Sequence, residues 1–257
     1  MALTRPRPMS AYLPETDPSD RFARDFERDR AEGFEGAIQT RLIKWGIPPR
    51  LRKAGPDLIP EAIRALGCWR EFPSRPFGLV GAGGTGKSCA LIYAIKECLR
   101  REFEEAGPTR VDEPNYPFEG AAIIKAKPRT SFRWIAWPEK AIEVKNLASR
   151  RDWENPDSTL LPIIDWVKDD PENNVLILDD LGMENVKADS YTSEQLELLI
   201  DTIYNYESRL FWTANKSVEE LTKPTAYGYR LMSRLCGAAP DAGLPDDLPD
   251  LRVKSVQ

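Results

Sequence analysis

The stretch Val80–Cys89, VGAGGTGKSC, constrains this chain more than any other feature. Gly81, Gly86, Lys87 and Ser88 fill every fixed position of the pattern GxxxxGK[ST], which joins a strand to a helix. Glycines let successive backbone N–H groups approach phosphate oxygens, and the helix that follows directs its partial positive charge toward them. An apolar strand pattern precedes the turn and a helical pattern follows it, so we predict a phosphate cradle.

The cradle assigns roles to its side chains. We expect Lys87 to reach the outer phosphates of a nucleotide and Ser88 to ligate Mg²⁺. The predicted nucleotide-binding residues are Gly81, Ala82, Gly83, Gly84, Thr85, Gly86, Lys87, Ser88 and Cys89.

A second stretch, NVLILDD at Asn174–Asp180, is an apolar run typical of a buried parallel strand. A strand that ends in an acid delivers it to the carboxyl edge of the sheet, beside the phosphates. We therefore predict that Asp179 is the Mg²⁺-side carboxylate and that Asp180 polarises the attacking water. The simpler alternatives are a strand-end carboxylate for Asp179 and a loop-capping acid for Asp180.

Strand and helix patterns alternate along the chain, which predicts an α/β fold with a parallel sheet flanked by helices. Further strands are expected at Phe132–Pro138, Arg209–Asn215 and, at the edge, Asp250–Ser255. We expect a disordered tail at 1–18, a helical arm and linker at 19–56 with the linker at Gly46–Pro56, and a nucleotide-binding domain without a clear separate lid at 57–257. A polar insertion is expected at roughly 105–130. The arm's apolar stripe suits either packing on the domain or docking of a partner.

Composition excludes several classes of protein. The 257 residues include no histidine, which rules out histidine-based triads and Cys/His zinc sites. The four cysteines show no CxxC spacing and are expected to be reduced thiols of a cytoplasmic protein. No apolar run approaches the roughly 18 residues of a membrane span, so no membrane contact is expected. A net charge of −5 means that any nucleic-acid site is a local patch.

Three motifs in order, LILDDLGME, FWTANKS and GYRLMSRL, resemble the AAA+ ATPases of the DnaC/DnaI helicase-loader and IstB group. KWGIPPRLRKA and CWREFPSRPFGLVGAGGTGKS also resemble that group's approach to its cradle, and the resemblance covers roughly residues 42–235. It implies an AAA+ core, a P-loop NTPase fold, with ATP and Mg²⁺ as cofactors and ATP hydrolysis as the activity.

The resemblance also implies roles for three residues. Asn215 matches a polar sensor that touches the γ-phosphate or the attacking water. Arg234 matches an arginine finger that serves a neighbouring subunit, which implies self-association through Arg234, and Arg230 lies one turn earlier on the same face. The alternatives are a turn residue for Asn215 and surface ion pairs for both arginines. Asp180 departs from the group, because many AAA+ proteins have Glu there.

In the loader group, the helix after the second strand contacts single-stranded DNA. That helix is predicted here at Pro138–Ser149, with Lys140 and Lys145 on it and Trp134 and Trp137 before it. A solvated basic face over a core containing the tryptophans is the alternative. The leading hypothesis is a loader that binds ATP, single-stranded DNA and a replicative helicase. An IstB-like transposition helper on duplex DNA and a nucleotide-gated adaptor with little hydrolysis are the other hypotheses.

Overall fold

The computed structural model describes residues 33–59, 76–106, 129–151, 154–183, 191–236 and 242–243. The predicted tail at 1–18, most of the polar insertion and the strand expected at Asp250–Ser255 lie outside the described residues. Among the described helices, none is both long and apolar enough to cross a bilayer.

A five-stranded sheet forms the centre of the fold. Its strands are β1 (Phe77–Val80), β2 (Ser131–Ala136), β3 (Asn174–Leu181), β4 (Arg209–Ala214) and β5 (Ala242–Gly243). They lie in the order β2-β3-β4-β1-β5, and every neighbouring pair is parallel, which confirms the predicted sheet. Because β4 lies between β1 and β3, the end of β4 separates the glycine-rich turn from the acids that end β3.

Eight α-helical segments of the described part of the chain surround the sheet. They are α1 (33–44), α2 (Pro49–Arg52), α3 (Lys87–Ala106), α4 (Trp137–Ser149), α5 (Leu161–Asp169), α6 (Tyr191–Asn205), α7 (Val218–Thr222) and α8 (Gly228–Cys236). Short 3₁₀ turns occur at Pro56–Leu58 and Pro156–Ser158. Among these described segments, α4 begins as the sequence predicts, with Pro138 in its first turn, where a missing N–H costs no helical hydrogen bond.

The helices form one layer on each face of the sheet. Successive residues of β3 alternate between two cores: Val175 and Ile177 pack with α1, α2 and α3, whereas Leu176 and Leu178 pack with the helices from α4 onward. A strand covered on both faces needs an apolar side chain at nearly every position, which explains the run NVLIL. The predicted fold class, a parallel sheet flanked by helices, is confirmed.

The segment expected to be a linker, Gly46–Pro56, differs from that expectation. It contains α2, and its apolar side chains Ile47, Leu51 and Ala54 are buried against α3. The buried ammonium of Lys96, in the middle of α3, donates to the Ala54 carbonyl oxygen at 3.0 Å. Apolar residues between the prolines and glycines thus give this segment a place in the core.

The described part of the N-terminal arm is also packed on the domain. Phe34, Ile38 and Leu42 of α1 are buried, and the ring of Phe34 stacks on that of Phe103 in α3 with centroids 5.6 Å apart. In this described half of the helix, the apolar stripe packs on its own domain, which is the first of the two interpretations. The residues of the arm before 33 lie outside the described part.

Candidate nucleotide-binding site

The glycine-rich turn lies between β1 and α3, at the carboxyl edge of the sheet. Gly84 and Gly86 have φ angles of +83° and +88°, a region that side chains with a Cβ rarely adopt. The Thr85 hydroxyl donates to the Ala82 carbonyl oxygen at 3.0 Å and closes the turn. Helix α3 begins directly after it, so its first N–H groups and its partial positive charge face the turn.

Lys87 links the turn to β4. Its side chain is 4% exposed, and Nζ donates to the carbonyl oxygens of Gly81 at 2.8 Å and Ala82 at 2.7 Å. The same ammonium donates to Asn215 Oδ1 at 2.8 Å. The predicted phosphate-binding cation and the predicted sensor are therefore in direct contact, across 128 residues of sequence. The neighbouring Cys89 is half-buried in the first turn of α3 and packs on the core around that helix.

Asp179 is the most buried acid of the site, at 5% exposed. Ser88 Oγ donates to Asp179 Oδ1 at 2.8 Å, and Thr213 Oγ1 donates to the same oxygen at 2.7 Å. Burial raises the pKa of Asp179 to about 6; the hydrogen bonds from Thr213 and Ser88 oppose this rise, and the carboxylate of Asp180 adds to it.

A bulge in β3 sets Asp180 apart from Asp179. The pairing of β3 with β4 shifts between Leu178 and Leu181, and Asp180 between them has a φ of +62°. Aspartate is one of the few non-glycine residues that tolerate this left-handed conformation. Asn215 Nδ2 donates to Asp180 Oδ1 at 3.2 Å, so Asn215 contacts both the cradle lysine and the second acid.

Sequence reasoning missed Thr213. Its side chain is fully buried, donates to Asp179 and accepts the backbone N–H of Asp180 at 2.9 Å. One hydroxyl therefore holds the side chain of the first acid and the backbone of the second. One sequence signal could have identified it. Thr213 lies two positions before Asn215, on the same face, and its hydroxyl interrupts the apolar run near the end of β4.

The residues present fit Mg²⁺ and a nucleotide. A serine hydroxyl and a carboxylate, held 2.8 Å apart, are the hard oxygen donors that Mg²⁺ takes. Asp179 is a buried carboxylate whose charged form is disfavoured by burial, and a divalent cation beside it would offset that cost. Gly84 and Gly86 carry no side chain and adopt positive φ angles, so phosphate oxygens could approach the backbone N–H groups of the turn closely.

The two arginines of α8 do not join this cluster within the chain. The Arg234 guanidinium pairs with Asp201 of α6. Arg230, 68% exposed, places Nε 3.1 Å from Glu197 Oε1 and Nη2 3.1 Å from Asp201 Oδ2. The surface ion pairs considered as an alternative are thus present between α6 and α8.

Helix α8 is nevertheless tied to the strand that carries the site. The indole N–H of Trp212 in β4 donates to the Leu235 carbonyl oxygen at 3.1 Å. A Cβ on Gly78 of β1 would lie 2.3 Å from the Trp212 ring, so glycine is required there for this approach.

The basic face predicted on α4 is only partly available. Strand β2 ends at Ala136, between the two tryptophans, and Trp137 is 1% exposed, so it cannot serve as a stacking platform. Lys140 pairs with Glu143 at 2.9 Å and with Asp157 at 3.0 Å. Lys145 remains exposed on this helix, and Arg150 is exposed just after it.

A glycine-rich turn between β1 and α3, a buried acid near the end of β3 and a parallel sheet between two helical layers define a P-loop nucleotide-binding fold. No protein-family model matches the chain, and no curated protein matches it. Solved structures that are similar include one described as a primosome component from Streptococcus pyogenes serotype M3, with 23% identity and a TM-score of 0.49 over 79% of this chain and 92% of that chain.

Two further solved structures are similar over most of their length. One is titled DnaI, with 19% identity and a TM-score of 0.49 over 80% of this chain and 94% of that chain. The other is titled the DnaC helicase loader, with 18% identity and a TM-score of 0.49 over 77% of this chain and 100% of that chain. At this level of identity and overlap they carry no functional argument, so the function proposed below rests on the site and the sequence motifs.

Proposed function

We propose that this chain is a Mg²⁺-dependent ATPase that acts in the cytoplasm as a helicase loader of DNA replication. The observation that carries the ATPase part is the convergence of Lys87, Ser88, Asp179, Asp180 and Asn215 at one edge of the sheet. These residues come from three separate elements and have no shared role in stabilising a core, so their contacts support a common chemical task.

The chain's own residues would divide that task. Lys87 would bind phosphate oxygens, and Ser88 and Asp179 would hold Mg²⁺. Asp180 would accept a hydrogen bond from the attacking water. The amide of Asn215, which contacts both Asp180 and Lys87, would orient these two side chains. Bound MgATP supplies the phosphoanhydride to be cleaved and a cation that offsets the charge developing on it.

The loader part of the proposal rests on the motifs. The acidic strand, the TAN sensor strand and the GYRLMSRL helix resemble, in order and spacing, those of the DnaC/DnaI helicase-loader and IstB group. In that group the arginine finger serves a neighbouring subunit, so we propose that Arg234 reaches the nucleotide of a second copy. ATP binding would then couple self-association to the grip on single-stranded DNA and on a replicative helicase.

A second candidate is a nucleotide-gated adaptor with little hydrolysis. The observation that favours it is the pairing of Arg230 and Arg234 with Glu197 and Asp201 of their own chain. Arginines that stay in these pairs would leave the site without a finger, and ATP would act as a ligand that stabilises one conformation.

The test is fluorescence anisotropy with labelled single-stranded and duplex DNA at a fixed low salt concentration. Each DNA would be titrated with the full chain in the absence of nucleotide, with ADP and with a non-hydrolysable ATP analogue. Single-strand binding that appears only with the ATP analogue is the result that the loader proposal expects.

The other results separate the alternatives. A preference for duplex DNA would contradict the loader and favour the IstB-like transposition helper. Absence of DNA binding in all three nucleotide states would favour the adaptor. Failure to bind a fluorescent ATP analogue in the presence of Mg²⁺ would overturn the proposal at its base.

A further inference from the structure

A groove of about 520 Å³ crosses the edge of the sheet at β2. We call it the tryptophan groove, and its lining residues are Lys44, Trp45, Gly46, Ser131, Phe132, Arg133, Trp134 and Trp166. Its volume lies within the range of about 300–1,000 Å³ that holds small organic ligands. It is distant in sequence from the cradle and uses none of the residues assigned to the nucleotide.

Indole rings from both faces of the sheet line the groove. Trp45, just after α1, and Trp134 in β2 pack against the core that contains α3, whereas Trp166 in α5 packs against the opposite core. The three tryptophans can line one groove because β2 is the outermost strand among the described residues, so no further described strand separates the two helical layers there. All three tryptophans are half-buried, which leaves part of each one accessible.

The groove is also positively charged. Lys44 and Arg133 line it, and among the described residues no carboxylate does, although Arg133 also lines an adjoining pocket that contains Glu139 and Glu143. Arg133 places its guanidinium carbon 5.9 Å from the centroid of the Trp166 ring and donates to the Pro162 carbonyl oxygen at 3.3 Å. The guanidinium is therefore fixed beside an aromatic ring. Asp157, the acid whose charge acts on Arg133, is already paired with Lys140.

We propose that the tryptophan groove binds a short segment of single-stranded nucleic acid. Bases would lie against the indole rings, and Lys44 and Arg133 would contact the flanking phosphates. Duplex nucleic acid does not suit the groove, because its bases are stacked on one another and present no free faces. An acidic peptide would satisfy the two cations but would leave the indole rings without flat partners.

This inference rests on the nucleic-acid contact in the proposed function and moves its site from α4 to the edge of β2. It explains a contrast between the two places. On α4 the tryptophan is buried and Lys140 is neutralised by two acids. In the groove, aromatic rings are partly accessible, and no acid lines it among the residues that the structure describes.

The experiment measures anisotropy of labelled oligothymidine and oligouridine of about 20 nucleotides, long enough to span such a site. The full chain is compared with Lys44→Glu/Arg133→Gln, with a variant of the competing α4 face, Lys145→Glu/Arg150→Gln, and with a control at an exposed lysine outside both faces, Lys223→Glu. We expect the groove variant to lose about tenfold in affinity or more and the control to lose less than about twofold. The DNA and RNA arms show whether the sugar matters.

Two further readouts separate binding from folding. Lys44 is exposed, so Lys44→Glu alone tests the groove without disturbing the core. Losing two phosphate contacts should also reduce the slope of log affinity against log salt by about 1.4, since each contact to a single strand contributes about 0.7. A variant that was merely less stable would keep the slope of the folded chain.

Equal affinities of the groove variant and the wild-type chain would overturn the inference, as would a larger loss in the α4 variant than in the groove variant. Absence of binding to either single strand would also overturn it and would make a polypeptide the remaining occupant to test. Binding of a fluorescent ATP analogue is measured in parallel on every variant. Its failure in the wild-type chain would contradict the proposed nucleotide site rather than the groove.

Discussion

The nucleotide site and the arginine face of α8 bring charged side chains together in opposite ways. At the sheet's edge, residues of three elements meet: Lys87 contacts Asn215 across 128 residues of sequence, and Ser88 contacts Asp179 across 91. On α8, the ionic partners of Arg230 and Arg234 within the described part of the chain are acids of α6. Folding of one chain therefore assembles the first cluster fully, whereas the second gains a catalytic role only if a neighbouring copy meets it.

The largest effect is expected inside the complete cluster. Lys87→Ala should lower the affinity for ATP by about 100-fold, because a charge-assisted hydrogen bond is worth up to about 3 kcal/mol, and should leave no measurable hydrolysis. Binding of a fluorescent ATP analogue checks this. Lys223→Ala, which removes an exposed lysine of the same chain, is the control. Wild-type ATP affinity in Lys87→Ala would contradict the assignment of the glycine-rich turn as the nucleotide-binding site.

The next effect tests the incomplete cluster. Arg234→Ala should leave nucleotide affinity unchanged and lower hydrolysis by about 10³-fold, the contribution typical of an arginine finger. The fold should survive, because Arg230 still pairs with Asp201. Steady-state phosphate release at several protein concentrations gives the measurement. Full activity in Arg234→Ala would sink the claim that α8 completes a neighbour's site.

A third prediction concerns the stability that the folded chain loses by burying the carboxylate of Asp179. The pKa of Asp179 is about 6 when folded against 3.8 for an ordinary aspartate, so between about pH 4 and pH 6 the folded chain binds more protons than the unfolded chain. Stability should therefore fall as the pH rises through this window and stay low above it. Ionised Asp179 costs on the order of 2–3 kcal/mol at neutral pH without Mg²⁺.

Asp179→Asn should accordingly stabilise the Mg²⁺-free chain at neutral pH and flatten its pH dependence, while abolishing Mg²⁺-dependent hydrolysis. Urea unfolding at pH 5 and pH 7.5 measures both. Asp165→Asn, which changes an exposed acid, should alter neither. A less stable Asp179→Asn variant with the wild-type pH dependence would contradict the assignment of Asp179 as a buried, costly carboxylate.

The smallest effect belongs to the residue that sequence reasoning missed. Thr213→Val keeps the shape of the side chain but removes the hydrogen bonds to Asp179 and Asp180. It should weaken the apparent Mg²⁺ affinity by about tenfold, the usual cost of losing a partner that orients a metal ligand, with nucleotide affinity in the absence of Mg²⁺ unchanged. Thr213→Ser should restore it. An equal loss in both variants would indicate a packing role instead.

The sequence was informative about features whose pattern lies within a few consecutive residues. The turn at 81–88, the acids at 179–180 and the order of strands and helices follow from patterns that lie within a few residues of one another. The bulge that separates Asp179 from Asp180 does not, because it depends on the pairing of β3 with β4. Thr213 was missed for the same reason: its task is set by a neighbouring strand.

Long-range packing explains the remaining differences. The segment at 46–56 contains prolines and glycines typical of a linker, yet Leu51 and Ala54 meet α3 only after the chain has folded. The tryptophan groove joins residues 44–46, 131–134 and 166, which share no sequence pattern. The pairing of Arg234 with Asp201 was one of two readings of GYRLMSRL, and spacing alone could not choose between them.

The most direct test of the account mixes two inactive variants. Lys87→Ala binds ATP about 100-fold more weakly and does not hydrolyse it but keeps Arg234, whereas Arg234→Ala binds ATP but lacks the finger. If the nucleotide site of one copy is completed by α8 of another, hydrolysis in the mixture should rise well above the sum of the two variants measured alone. A mixture that shows only that sum would contradict the shared site and leave the adaptor as the better description of this chain.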